Sequence, residues 1–145
     1  MSIESYRDIY IRIPEGFVIP SKIEIAKGLA SKDLKEKKSN LNFLIFSILL
    51  DPSSDQLLMN VITNIVSIQH KNSDLRKLVF IYWEIINKRK HDGSLIDEFI
   101  LICNCLRKDL LHPNEFVVSS TLKLIGRIAI PEIIDSLIVP ILETN

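Results

Sequence analysis

The sequence predicts an all-α protein, a right-handed solenoid of antiparallel helix pairs preceded by an extended N-terminal segment. Three observations predict it. Capping and turn residues divide the chain into helix-sized segments. Several of those segments are apolar on more than one side. The helix starts recur about every forty residues. Only 4 Gly and 6 Pro stand among 145 residues, which disfavours a turn-rich β architecture.

Residues 1–20 are the extended part. Ile9-Tyr10-Ile11-Arg12-Ile13 alternates like a strand, but Pro14, Gly16 and Pro20 interrupt it. The chain offers that strand no partner, so the segment is expected to lie as a strap on the helices. Residues 21–145 carry the helices. Ser21 and Glu24 have the spacing of a capping box, in which Ser bonds a free N–H and Glu reaches back; a first helix runs to about Leu29. A second spans about residues 33–50, charged at its start and apolar at its end. Asp51-Pro52-Ser53-Ser54 is a turn with a cap, and a third helix covers about residues 55–69. Asn72-Ser73-Asp74 opens a fourth, to about Lys88. Asp92-Gly93-Ser94 is turn and cap for a fifth, through about Leu111. His112-Pro113-Asn114 opens a sixth, to about Ala129. Pro131 suits the first position of a seventh, which Pro140 would kink or split.

The fourth helix carries Leu75, Leu78, Val79, Phe80, Ile81, Tyr82, Trp83, Ile85 and Ile86. A helix wet on one face needs fewer, so it is expected to be sandwiched between neighbours, with Tyr82 and Trp83 in the core rather than anchoring a partner. The second, fourth and sixth helices begin near Leu34, Leu75 and Phe116, steps of 41 and 41 residues. The third, fifth and seventh begin near Asp55, Leu95 and Glu132, steps of 40 and 37. Helix pairs at that period mark HEAT or armadillo arrays, in which each pair buries its apolar faces by stacking on the next.

Lys plus Arg and Asp plus Glu both number 18, so the formal net charge is zero. That argues against a nucleic-acid-binding protein, which needs a basic excess, and against docking on an anionic membrane by charge alone. The basic clusters, residues 32–38 and 88–91, read as solvated faces and helix ends. The first twenty residues hold Glu4, Asp8 and Glu15 and lack a signal peptide's apolar stretch. The longest apolar run, residues 43–50 with Ser47 inside it, is too short to span a bilayer.

Catalytic and metal chemistry find no constellation. Cys103 and Cys105, two residues apart, point to different faces of a helix, and reduced thiols suit a cytosolic protein. His70, His91 and His112 stand 21 residues apart at expected helix ends, too scattered for convergent ligands. Cysteine nucleophiles need a paired base; Asp97 and Glu98 are adjacent and diverge; Asp92-Gly93 is a turn rather than a phosphate loop. No enzyme activity, metal or cofactor is expected. In His112-Pro113-Asn114, Pro113 stops one helix and Asn114 caps the next, so the turn is structural.

Two segments go beyond periodicity. Residues 75–88, Leu-Arg-Lys-Leu-Val-Phe-Ile-Tyr-Trp-Glu-Ile-Ile-Asn-Lys, resemble a helix of the coatomer (COPI) beta-subunit family that ends in a Trp-Glu-Ile triplet. Arg107-Lys108-Asp109-Leu110-Leu111-His112-Pro113-Asn114-Glu115-Phe116, followed by Ser120-Thr121-Leu122, is similar to a long motif of that family. The family places a basic residue and a glycine before the Ser-Thr-Leu; Val118 and Ser119 stand there instead. The resemblance covers residues 70–145 in detail and 20–70 in pattern.

The resemblance implies the N-terminal part of an adaptin-like HEAT-repeat trunk that continues in a longer solenoid. It implies a structural subunit of the COPI coat, in Golgi-to-ER retrograde and intra-Golgi transport. The implied partners are the other coatomer subunits and a GTP-loaded small GTPase of the ADP-ribosylation-factor type. The implied location is the cytoplasm, peripheral on Golgi membrane and COPI-coated vesicles. The same period without the long motif would suit a clathrin-adaptor large chain or a nuclear transport receptor. By resemblance, the GTPase face includes Ile81 on the fourth helix and Ile100, Cys103 and Asn104 on the fifth. The patterning of the fifth helix adds that Leu95, Phe99, Ile102 and Leu106 face the core, while Ile96, Ile100, Cys103, Asn104 and Arg107 form a second stripe that must meet a helix or a partner. The apolar end at residues 138–142 is expected to drive self-association.

Overall fold

A computed structural model of the chain describes residues 18–138. The expected strap therefore lies outside the described residues except for residues 18–20, as do Pro140 and most of the apolar end. The fold class is all-α, as expected. Among the described residues every regular element is helical, and the one strand-like feature is an isolated bridge between Arg89 and Leu95. The chain divides into two compact units, Met1–Asn87 and Lys88–Asn145.

The first unit holds α1 (Lys22–Leu29), α2 (Leu34–Leu50), α3 (Leu58–Asn64), a 3₁₀ helix (Val66–Lys71) and α4 (Ser73–Ile85). Three helix starts are capped, at Ser21 and Asn72, where the sequence marked a helix opening, and also at Asp33. Ser21 Oγ accepts from the Glu24 N–H at 3.3 Å, and Asp33 Oδ1 accepts from the Lys35 N–H at 3.0 Å. Asn72 Oδ1 accepts from the Leu75 N–H at 3.1 Å. A short turn reverses the chain between α1 and α2, and α2 packs on both α1 and α4. This double contact explains its apolar second half: Leu41, Leu44, Ile45 and Ile48 are all buried. Ile25 and Leu29 of α1 and Leu75, Leu78, Val79, Tyr82 and Trp83 of α4 complete this core.

The expected third helix, residues 55–69, is shorter and broken. Asp55 Oδ1 accepts from the Leu57 N–H at 2.9 Å, which closes a local turn ahead of the helix. Leu57 takes a left-handed backbone, φ 49°, and α3 starts only after it. At the other end Lys37 Nζ donates to the Asn64 carbonyl oxygen at 3.1 Å, and Ile68 N–H turns to the Ile65 carbonyl at 3.1 Å, the shorter 3₁₀ spacing. α4 stops at Ile85, before the expected Lys88, because Ile86 is extended and Asn87 N–H is held by the Gln56 side-chain oxygen.

The second unit holds α5 (Phe99–Leu110), α6 (Glu115–Ile128) and a short α7 (Pro131–Ile133) that widens into a π-turn (Ile134–Ile138). The fifth helix begins several residues later than expected. Asp92 Oδ1 accepts from both the N–H and the hydroxyl of Ser94, at 2.9 and 2.6 Å, and Gly93 has φ 88°. The chain then pairs with itself: Lys90 N–H donates to Ser94 O at 2.7 Å and Ile96 N–H to Lys88 O at 2.9 Å. Residues 94–96 are thereby committed to a hairpin-like return, and Leu95 sits outside the helix. α5 and α6 pack on each other across the turn at 111–114. There His112 Nδ1 accepts from the Asn114 N–H at 3.0 Å, and Asn114 Oδ1 caps Phe116 N–H at 2.9 Å. Phe99, Ile102, Leu106 and Leu110 are buried on α5, and Val117, Thr121, Leu124 and Ile125 on α6. Thr121 Oγ1 donates to Val117 O at 2.7 Å, so its hydroxyl is satisfied inside this core. Pro131 stands in the first turn of α7, as its missing N–H predicts.

Candidate functional site

α5 has two unequal faces. Phe99, Ile102 and Leu106 recur at helical spacing and are buried, as the sequence pattern foretold; Leu95 is half-buried beyond the helix start. On the other side Ile100, Asn104, Arg107 and Leu111 are all exposed. At 3.6 residues per turn these four fall within about 40° of one line along the helix. Ile100 is 67% exposed, one of several large apolar side chains that reach solvent, and it heads this line. Arg107 Nη1 donates to Asn104 Oδ1 at 3.2 Å, so the amide is oriented with its carbonyl toward Arg107 and its NH₂ available to donate elsewhere.

The expected second stripe is thus split. Ile100 and Asn104 reach solvent, Cys103 is 7% exposed, and Ile96 is half-buried before the helix. Ile81 belongs to the other unit, where it is 8% exposed within α4. Tyr82 and Trp83 are fully buried, their rings 5.6 Å apart, in the core role foreseen for them.

The basic clusters do more than face solvent. Lys37 Nζ joins the ends of α1 and α3, donating to Leu29 O at 2.8 Å and Asn64 O at 3.1 Å. Burial lowers its pKa from the ordinary lysine value. Lys88 is buried, Arg89 pairs with Glu132 at 3.2 Å, and Lys90 pairs with Asp97 at 2.9 Å. Lys35 and Lys38, with Ser39, Asn42, Asp74 and Leu78, line an open pocket of about 350 Å³ between α2 and α4. Its mixed charge selects no ligand class.

Neither Cys103 nor Cys105 is in a disulfide, and burial raises the Cys105 pKa from the ordinary thiol value. Among the described residues no three His, Cys, Asp or Glu side chains converge as metal ligands, and no helix is long and apolar enough to cross a membrane.

Sequence patterning did not single out Leu111 and Phe116 as exposed, at 68% and 78%. The available signal was their position on either side of a capped turn. It also missed Lys37 and Gln56 as tethers, whose partners are backbone atoms distant in sequence.

Comparison with known proteins gives this architecture relatives. The family model for the adaptin N-terminal region matches residues 20–144. Coatomer subunit beta of Sus scrofa is 35% identical over 127 residues, 88% of this chain and 13% of the relative. That of Toxoplasma gondii is 36% identical over 143 residues, 99% of this chain and 13% of the relative. That of Saccharomyces cerevisiae is 30% identical over 122 residues, 84% of this chain and 12% of the relative. The chain thus spans about an eighth of the length of these relatives, 13% of the first.

Proposed function

Since this chain belongs to the adaptin N-terminal region family and its similarity is to the N-terminal region of coatomer beta subunits, we propose that it serves as a structural piece of a COPI vesicle coat. In this reading it acts in Golgi-to-ER retrograde and intra-Golgi transport, carries no catalytic step, and works in the cytoplasm, peripherally on Golgi membrane and coated vesicles. Its partners are the other coatomer subunits and a GTP-loaded small GTPase of the ADP-ribosylation-factor type. Residues 21–145 act as HEAT-like repeats of the trunk and residues 1–20 as a strap.

The observation that carries the GTPase part is the exposed line on α5, headed by Ile100 at 67% exposure with Asn104 one turn on. GTP-loaded small GTPases present an ordered, partly apolar switch surface. A solvent-facing isoleucine offers it apolar area, and the adjacent Asn104 amide offers a donor to fix orientation. Cys103, 7% exposed, lies on the buried side of that line. Ile81 is buried in α4 of the first unit and is not part of the exposed line.

The test is binding of the 145-residue chain to an immobilised ADP-ribosylation-factor-type GTPase loaded with a non-hydrolysable GTP analogue or with GDP. Selective retention on the GTP-analogue form supports the reading. Equal retention on both forms, or none on either, overturns the GTPase assignment.

A further inference from the structure

We propose that the α5–α6 turn is a membrane-contacting tip, with Leu111 and Phe116 entering the interface of an anionic lipid surface. These two side chains, five positions apart, flank the capped turn and are 68% and 78% exposed. Pro113 between them is exposed as well. Ordinary folding leaves single apolar residues at the surface; here two large ones stand at the two ends of one short turn, which concentrates exposed apolar area there.

The place of the tip selects its occupant. In arrays of helix pairs, neighbouring pairs stack on helix flanks, while inter-helix turns line an edge of the array. Stacking of a further pair therefore covers helix flanks and leaves a turn open. Arg107 and Lys108, both exposed, stand in the last turn of α5 immediately before the tip. Glu115 is the one exposed carboxylate in the turn region, and it sits in the first turn of α6. Two cations behind an apolar tip match a bilayer, with anionic headgroups outside and acyl chains within. The zero net charge of the chain rules out docking by charge alone; here the apolar side chains lead and the local cations add to them. Two inserted side chains give weak binding, suited to a protein that multiplies contacts in an assembly. Arg107 and Leu111 also continue the exposed line on α5; the test contains no GTPase and reads lipid binding alone, so its failure is distinguishable from failure of the GTPase assignment.

The test uses the 145-residue chain with phosphatidylcholine vesicles, with and without phosphatidylserine. A Phe116→Trp variant places an indole at the tip, and brominated acyl chains serve as quencher. The expected result is partition on phosphatidylserine vesicles with a blue shift and quenching of that indole. The fully buried Trp83 stays unquenched. Leu111→Ser with Phe116→Ser lowers vesicle binding at least tenfold with unchanged helical circular dichroism. Arg107→Ala with Lys108→Ala removes the preference for phosphatidylserine. Absence of partition overturns the proposal, and so does binding without quenching. Loss of a concentration-dependent dimer in the double serine variant, with no vesicle binding by the parent chain, overturns it in favour of a protein-binding tip.

Discussion

The Tyr82 hydroxyl donates to the Gln56 carbonyl oxygen at 2.6 Å, across 26 residues of sequence. Burial drives the Tyr82 pKa far above the ordinary tyrosine value, so the phenol remains a donor at every working pH. The same Gln56 grips the end of α4 with its side chain: Oε1 accepts from Asn87 N–H and Nε2 donates to Asn87 O at 3.2 Å. One residue thus fixes both the body of α4 and its exit. Tyr82→Phe removes the bond and keeps the ring, so it should cost about 1–2 kcal/mol. Tyr82→Ala also leaves a cavity and should cost about 3–5 kcal/mol. Urea unfolding checks both; a neutral Tyr82→Phe would remove this tether from the account.

Lys37 should act as a tether rather than a surface charge. Its ammonium group bonds the Leu29 and Asn64 carbonyls, which close α1 and α3. Lys37→Met keeps much of the apolar stem and loses both bonds, with an expected cost of about 1–3 kcal/mol. Lys35→Met, at an exposed neighbouring position, should stay within about 0.5 kcal/mol. Equal effects in thermal melts would return Lys37 to the solvated face that sequence assigned it.

Acid should loosen two turns of the same design. Asp92 accepts from the Ser94 hydroxyl and N–H, and Asp51 accepts likewise from Ser53. The hydroxyl bond is the largest cause of the lowered pKa in each, followed by the backbone bond. A carboxylate with a folded value below its unfolded one contributes stability that is fully present above the unfolded value. That contribution is lost as the pH falls through the lowered folded value. The melting-temperature gap between the parent chain and Ser94→Ala should therefore be open at neutral pH and close below the ordinary aspartate range. A gap independent of pH would contradict this.

The all-α class, the helix caps and most of the core were legible in the sequence because they rest on local rules. Ser21, Asn72 and Asn114 bond amides two or three residues away, and Phe99, Ile102 and Leu106 follow one helical face. The misplaced helix ends rest on two things the helical period does not show: distant tethers, Lys37 to Asn64 and Gln56 to Asn87, and local turns that compete with the helix. The start of α3 depends on Asp55 and a left-handed Leu57, and its end on Lys37. The start of α5 depends on the Lys88–Ile96 pairing, in which Asp92-Gly93-Ser94 serves a return rather than a helix cap. On α5 the period could name a second stripe but not divide it. Ile100 and Cys103 are three residues apart, yet one is open to solvent and the other closed into the core.

That division supplies the most direct test of the proposed function. Titration calorimetry of the GTP-loaded GTPase into Ile100→Asp, with circular dichroism in parallel, asks whether the exposed line on α5 is the contact. An unpaired charge at the centre of an interface costs roughly 3–5 kcal/mol, and each 1.4 kcal/mol is about tenfold in affinity. The account predicts a loss of at least about a hundredfold with the helical signal intact, whereas Cys103→Ser, inside the core, lowers the melting temperature and leaves the affinity within about threefold. Unchanged affinity in a folded Ile100→Asp chain would contradict it.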